Sequence, residues 1–420
     1  MADAEYLTVQ QALTAVLQGV SVLPAETIPI LDALGRVLAQ PVIAQDSLPP
    51  FANSAMDGYA VRAADLTGAT AETPVTLTVV ADIAAGHPSD VTLQTGMAAR
   101  IMTGAPLPAG SDAVVPVEDT SEPWRSPERP LPPHIKIFRQ VQPGDYVRHP
   151  GEDIEAGQTV LEAGHILRPQ EIGVLASLGI SHVQVIRRPK IGILATGDEL
   201  IPVEEPLTPG KIRNSNGYAQ TAQVKALGAI PIPLGIARDT EEDVRQKLQT
   251  GLDAGVDLFI SSAGVSVGAY DVVKAVLETE GNVNFWRVRM RPGKPLAFGT
   301  YHNIPYIGLP GNPVSAMVSF ERFARAAILK MAGHTRLERP QITAILQETI
   351  HSDGRESYIR GIVRRENGTY TATLTGSQGS HIMTSLVRAN ALLIVPEGIT
   401  EISAGSPITA WMLDWPETVF

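Results

Sequence analysis

Apolar residues recur along this chain in two rhythms, and the switches between them divide it. From Thr8 to Gly19, Val9, Ala12, Leu13, Val16 and Leu17 share one helical face, with Thr8 placed as cap and Gly19 as stop. A second helix is predicted over Ile30 to Ala39, before the Pro49-Pro50 pair. Between Phe51 and Val147 the pattern shortens to β-like runs separated by Gly and Pro, such as Val75–Val80, Ala98–Met102, Ala113–Val117 and Ile135–Phe138. After Arg148 turn signals lead into a helix with Pro169 in its first turn, a stripe of Ile172, Leu175, Ala176 and Leu178, and Gly179 at its end. From Lys190 to Gly333 strands and helices alternate. Ile191–Ala195, Ile230–Ile236 and Val256–Ile260 read as strands, and Gly217–Leu227, Glu241–Leu252 and a segment from Val272 as helices. Continuous apolar strands between helices predict a parallel sheet covered on both faces. From Arg339 onward short alternating strands with Gly turns return.

The fold class that follows is α/β plus β, in several domains. Residues 1–47 plus 148–187 are expected to form a two-piece helical and linker domain, with a β module inserted at 48–147. An α/β domain at 188–334 and a small β domain at 335–420 complete the chain.

Composition narrows the chemistry. With 33 basic against 44 acidic side chains the net charge is −11, which argues against a general binder of nucleic acid or anionic membrane. Cysteine is absent, so disulfides, zinc–thiolate sites, iron–sulfur clusters and thiol catalysis are excluded. The N-terminus carries acids where a signal peptide needs positive charge, and no apolar run approaches about 18 residues, so a cytoplasmic protein is expected.

Ligands of open α/β sheets bind outside the carboxyl ends of the strands. Three segments fall there: Thr196-Gly197-Asp198-Glu199, Arg238-Asp239, and the loop from Ser261 to Asp271. That loop is rich in small residues (Ser262, Gly264, Ser266, Gly268), which let backbone N–H groups approach an anion. Asp271 beside an anion makes sense if a hard cation such as magnesium bridges them. An ordinary strand-to-helix turn with Asp271 as N-cap is the other reading. Further along, Arg287, Arg289 and Arg291 recur at period two on one strand face, and Pro292-Gly293-Lys294-Pro295 places a lysine in the turn that follows. A solvated strand face explains the arginines equally well. Leu309-Pro310-Gly311-Asn312-Pro313 is a second rigid turn, opening a helix suited to an oxyanion.

Eight stretches, PPFANSAMDGYAVRAAD, RIMTGAPLPAGSDAVVPVEDT, PGDYVRHPGEDI, ILATGDEL, NSNGYAQTAQVKALG, SSAGVSVGAYDVV, RPGKPLAFGT and LPGNPVSA, lie in an order that closely resembles the molybdopterin molybdenumtransferase family, the MoeA-type enzymes related to the E domain of gephyrin. The resemblance implies a four-domain, elongated protomer whose α/β domain has the molybdopterin-binding fold. It implies a homodimer with a composite active site, and insertion of molybdate into adenylylated molybdopterin with magnesium as cofactor and AMP as product. Asp57, Thr103 and Asp145 match positions contributed by the β module and its hinge. Glu199, Asp239 and Asp271 match acids of the sheet-domain cleft, the last two as metal ligands, while Lys294, Pro310 and Pro313 match its anion-contacting turns, beside which Arg291 is a further expected substrate contact. Arg360 and the loop Ser377-Gln378-Gly379-Ser380 resemble further oxyanion contacts. Two positions depart from the family pattern: Ala269 stands where an acid is common, and Arg291 where lysine is, which keeps the charge but changes its geometry.

The partners implied are small anionic substrates, molybdopterin adenylyltransferase and apo-molybdoenzymes, with no nucleic acid and no membrane. Two alternatives stand beside this reading. One is the adenylyltransferase itself, which shares the sheet-domain fold but lacks the β module and C-terminal β domain. The other is a gephyrin-like scaffold, which this chain's lack of a long linker or second sheet domain disfavours.

Overall fold

The structure, a computed structural model, describes residues 6–122, 130–262 and 272–414, which separate into two compact units. The first comprises residues 1–28, 35–39 and 184–420 and the second residues 29–34 and 40–183.

A seven-stranded sheet organises the first unit. In chain order its elements are β1 (Tyr6–Leu7), α1 (Val9–Gln18), β2 (Lys190–Thr196), α2 (Ser215–Ala226), β3 (Ile230–Ala237), α3 (Glu241–Asp253), β4 (Leu258–Ser262), α4 (Val272–Glu280), β5 (Gly281–Val288), β6 (Pro295–Tyr301), β7 (Ile304–Leu309) and α5 (Pro313–Ser319). The strand order is β1-β5-β6-β7-β4-β2-β3. The sheet is parallel from β7 through β3, whereas β5, β6 and β7 form an antiparallel meander, so it is mixed rather than wholly parallel as the alternation predicts. The difference has a local cause. Only His302 and Asn303, both at positive φ, separate β6 from β7, and a connection that short permits a hairpin alone.

Alternation along the central strands distributes side chains to two cores. Ile193, Leu258 and Ile260 pack with α1, α2 and α5 on one face, and Leu194 and Phe259 pack with α3 and α4 on the other. The capping box of α1 forms: Thr8 Oγ1 accepts from Gln11 N at 3.1 Å and Gln11 Oε1 from Thr8 N at 2.8 Å, worth about 1 kcal/mol. Its stripe of Val9, Ala12, Leu13 and Val16 is buried in the sheet's own core, so α1 belongs with the α/β sheet and not with residues 148–183. The predicted helix Ile30–Ala39 shrinks to a 3₁₀ turn, Ile30–Ala33. Gly35 at positive φ stops propagation, and Leu31 and Leu34 lie exposed, without a surface to pack on.

Past α5 the helix runs on through a π-helical turn, Phe320–Ala324, to Met331. The C-terminal strands then close on themselves. Glu356–Glu366, Thr369–Leu374, Gln341–Leu346, Pro407–Met412 and Ala391–Val395 pair in a ring around one apolar core, a small barrel without free edges. Met290–Arg291 leaves the main sheet and pairs in parallel with Glu356–Ser357 of the barrel, which sets Arg291 against the barrel's first long strand.

The second unit holds a five-stranded sheet, in the order Ala113–Pro116, Gly58–Val61, Met97–Ile101, Val75–Ile83, His134–Ile137, with apolar clusters on both faces. The helix predicted from Pro169 is present as Pro169–Ser177, with Gly179 at positive φ beyond it.

Candidate active site

The carboxyl ends of β2 and β4 open onto a cleft of about 770 Å³. Its floor and walls include Thr196 and Glu199 after β2, Ser262 at the end of β4, the turn Arg291–Pro295, the turn Pro310–Pro313 and, from the barrel, Arg355 and Gln378–Ser380. Among the described residues, four with cationic side chains, Arg213, Arg291, Lys294 and Arg355, line it against one with a carboxylate, Glu199. In a chain of net charge −11 this is a local reversal of sign, the signature of an anion site.

Each wall is fixed by local chemistry. Asn214 caps α2 by accepting from Gly217 N at 2.9 Å, and Asn216 Nδ2 donates to Gly311 O at 2.8 Å, tying the α2 start to the Pro310–Pro313 turn. Arg213 is held by main-chain carbonyls, Nε to Val203 O at 3.0 Å and Nη2 to Glu205 O at 3.3 Å, so its charge is positioned without being neutralised. Pro313 occupies the first position of α5 and Asn312 its N-cap. Val314 N donates to Ser380 O at 3.1 Å, docking the barrel loop on the helix start. Gly293, at φ +113°, lets the lysine turn lie directly over α5: a Cβ there would collide with Ser319 Oγ. Ser262, at the cleft wall, is 1% exposed, and its buried hydroxyl has no hydrogen-bond partner among the described residues.

The basic patch differs from the one predicted by period two. Arg289 does not line the cleft; it pairs with Glu397 at 2.8 Å. The strand breaks there, because Arg289 N donates to Leu7 O while its carbonyl accepts from Glu356 N as the chain crosses to the barrel. Arg213 and Arg355 take its place. Arg355 pairs with Asp353 at 2.6 Å and donates Nη1 to Met290 O at 3.2 Å, and the Asp353 carboxyl is held below its ordinary value first by Arg355's hydrogen bonds. Arg360 is buried behind the cleft wall. Its Nε donates to Ser385 Oγ at 3.1 Å and Nη2 to Gly379 O at 3.2 Å, and Gln378 clamps its main chain at 2.9 and 3.2 Å. Ser380 lines the cleft and Ser377, exposed, does not. Glu199, Ser262, Arg291, Lys294, Pro310, Pro313 and Ser380 thus line one cleft.

Asp239 lies at the neighbouring strand end. Its Oδ2 accepts from Asp198 N at 3.3 Å and Asp198 Oδ1 accepts from Asp239 N at 3.1 Å. This exchange fixes two carboxylates side by side with one oxygen of each outside it, hard donors of the kind magnesium takes. No group of three His, Asp or Glu converges on a cation site among the described residues. Asp271, Gly264, Ser266, Gly268 and Ala269 lie outside the described residues. Across the wall made by Leu200 and Asn214 is a second cavity of about 640 Å³, lined mainly by apolar groups and by two acids and two bases, Asp198, Glu205, Lys211 and Arg238. With its charges balanced, it is the poorer anion site.

In the second unit Asp57 and Thr103 meet. Asp57 Oδ1 accepts from Thr103 N at 2.7 Å and from Thr103 Oγ1 at 2.8 Å, and both residues are exposed. Asp145 caps its own turn, Oδ2 accepting from Gln142 N at 2.7 Å. Arg213, Asn214, Asn216, Asn312 and Arg355 are site residues that the sequence reading does not assign. The asparagines sit in stretches it quotes, and Arg355 carries no motif.

The profile of the MoeA N-terminal region (domain I and II) matches residues 7–179, that of a probable molybdopterin binding domain residues 192–330, and that of the MoeA C-terminal region (domain IV) residues 343–413. The chain is 40% identical over 396 residues to the molybdopterin molybdenumtransferase 2 of Mycobacterium tuberculosis, covering 92% of this chain and 95% of that protein. It is 37% identical over 408 residues to the molybdopterin molybdenumtransferase of Haemophilus influenzae, covering 96% and 98%. The crystal structure of the molybdopterin biosynthesis MoeA protein from Pyrococcus horikoshii resembles it with a TM-score of 0.81 at 30% identity, across 97% of this chain and all of that one. Matched in all three regions and along nearly the full length of such relatives, the chain belongs to the molybdopterin molybdenumtransferase family.

Proposed function

We propose that this protein inserts molybdate into the dithiolene of adenylylated molybdopterin, yielding molybdenum cofactor and AMP. The observation that carries the reading is the concentration of Arg213, Arg291, Lys294 and Arg355 in one cleft with Ser262, whose buried hydroxyl has no partner among the described residues, in a protein that is otherwise acidic. Molybdate and both phosphoryl groups of the substrate are anions, so fixed cations and donors stabilise the charge that gathers there. Lys294 and Arg291 face the oxyanion, Ser262 and Ser380 donate hydrogen bonds to it, and the turns at Pro310 and Pro313 hold the helix start beneath it. Asp239 and Asp271 would hold magnesium, which when bound would supply positive charge to stabilise the anionic substrate. Purified protein given adenylylated molybdopterin and molybdate should release AMP in step with metallated cofactor, and a parallel tungstate reaction reads its oxyanion preference. AMP release that ignores the oxyanion would remove this reading.

The site is composite in this proposal: Asp57, Thr103 and Asp145 of one chain complete the cleft of a second chain in a cytoplasmic homodimer. What supports it is that Asp57 and Thr103 form an exposed, preorganised carboxylate–hydroxyl pair in the compact unit that does not contain the cleft. Asp57→Ala and Lys294→Met proteins are each expected to be nearly inactive. Mixed in equal amounts with subunit exchange, they should recover about a quarter of wild-type turnover, since half the dimers are mixed and each has one intact site. Exchange without recovery would place all the chemistry in one chain.

A further inference from the structure

We propose that Tyr6 is a positioning residue for Lys294, and that the N-terminal strand is thereby part of the anion site. The inference rests on Lys294 being an anion contact of the cleft. Three strands set up the contact. β1 pairs in parallel with β5, placing Tyr6 opposite Arg287, and Arg287 is opposite Pro295 of β6, the residue after Lys294. Main-chain bonds fix both ends of the intervening turn: Arg289 N donates to Leu7 O at 2.9 Å, and Val288 N to Lys294 O at 2.7 Å. Tyr6 therefore lies at the root of the turn that carries the lysine.

The side chains complete the arrangement. Lys294 Nζ stands 5.2 Å from the centre of the Tyr6 ring, and the Arg287 guanidinium carbon 6.0 Å from it. Lys294 forms no ion pair among the described residues, although Arg289 and Arg291 beside it do. Tyr6 is thus its neighbour among the described residues, through ring and phenol together, and a neutral aromatic anchor has a specific consequence. A carboxylate would neutralise the ammonium and weaken its hold on an anion. A ring quadrupole steadies the cation while leaving its charge in place. Tyr6 feels the same neighbour: its phenol is drawn below the ordinary tyrosine value first by hydrogen bonding from Lys294, then by the charges of Lys294 and Arg287. Tyr6 is 46% exposed, so its core contribution is small and substitutions there leave the fold intact.

The test is a double-mutant cycle read by calorimetric titration of the full-length protein with sodium molybdate at fixed salt and pH. Tyr6→Ala should weaken molybdate binding about two- to fivefold, and Tyr6→Phe, which keeps the ring face, should stay within about twofold of wild type. In a Lys294→Met background Tyr6→Ala should cause no further loss. An equal loss in both backgrounds would mean that Tyr6 acts only through the fold, and overturns the inference. So does wild-type or tighter binding by Tyr6→Ala while Lys294→Met is impaired. Wild-type binding by Lys294→Met alone would instead remove the underlying role of the lysine, and the inference with it.

Discussion

Lys294→Met is expected to lower kcat/KM for molybdate-dependent AMP release about a hundredfold, the usual scale for losing one preorganised charge or donor at a reacting anion. The fold should be unaffected. Lys294 is exposed, forms no ion pair among the described residues and contributes no apolar bulk to the core clusters, so its thermal midpoint should stay within about two degrees of wild type. Arg287→Met supplies the contrast. Arg287 is a residue of the same strand-end region and the same charge, but it lies over Tyr6 and does not line the cleft. Its loss should cost no more than about threefold, the part transmitted through a weak ring contact. The distinction comes from range. At physiological salt charges act over about 8 Å, so a cation in the cleft outweighs the scattered acids that make the whole chain −11. Steady-state kinetics of the two variants at one ionic strength checks this, and equal, small effects would make the basic turn a solvated surface.

Arg360→Met should do two opposite things: raise stability and lower activity. Arg360 is 1% exposed, and no carboxylate pairs with it among the described residues. Its guanidinium is pulled down to about 10, mainly by burial and further by the charge of Arg291. For a cation whose folded value is depressed, the cost of folding is fully present below that value and is relieved only as pH rises through it. At neutral pH the protein therefore carries all of it, on the order of 3 kcal/mol. A methionine of similar reach removes that cost and keeps the packing, as replacements of buried charge commonly do. On the proposed function, an anion bound in the cleft would offset the same cost in the native protein, because Arg291 and the Gln378–Ser380 loop that Arg360 supports both line that cleft. Activity should fall at least about tenfold, because the compensating charge is then gone. Chemical denaturation and turnover of one preparation measure both effects. A variant that is clearly less stable would show the arginine to be a structural strut instead.

Much of this was legible in the residue order, for physical reasons that can be named. Periodicity placed α1, α3 and the three parallel strands, because each buries a face whose spacing repeats. It overextended Ile30–Ala39, where Leu31 and Leu34 have helical spacing but lie exposed, and its parallel sheet left out the antiparallel meander β5 to β7, since strand direction there depends on a two-residue turn. The turns at Lys294 and Pro310–Pro313 were legible through proline and glycine, which restrict the backbone whatever surrounds them. Arg355 was not legible. It reaches the cleft only because Met290–Arg291 pairs with a barrel strand 65 residues further along, and no local pattern encodes that. Arg289 was misplaced for the same reason.

The central claim, that the cleft between the strand ends and the barrel is where the oxyanion binds, has a direct test in molybdenum anomalous scattering from crystals soaked in molybdate. The strongest peak should lie within hydrogen-bond reach of Lys294, Arg291 or Ser262. A strongest peak in the Leu200-walled apolar cavity, or at a surface lysine with the cleft empty, would contradict it.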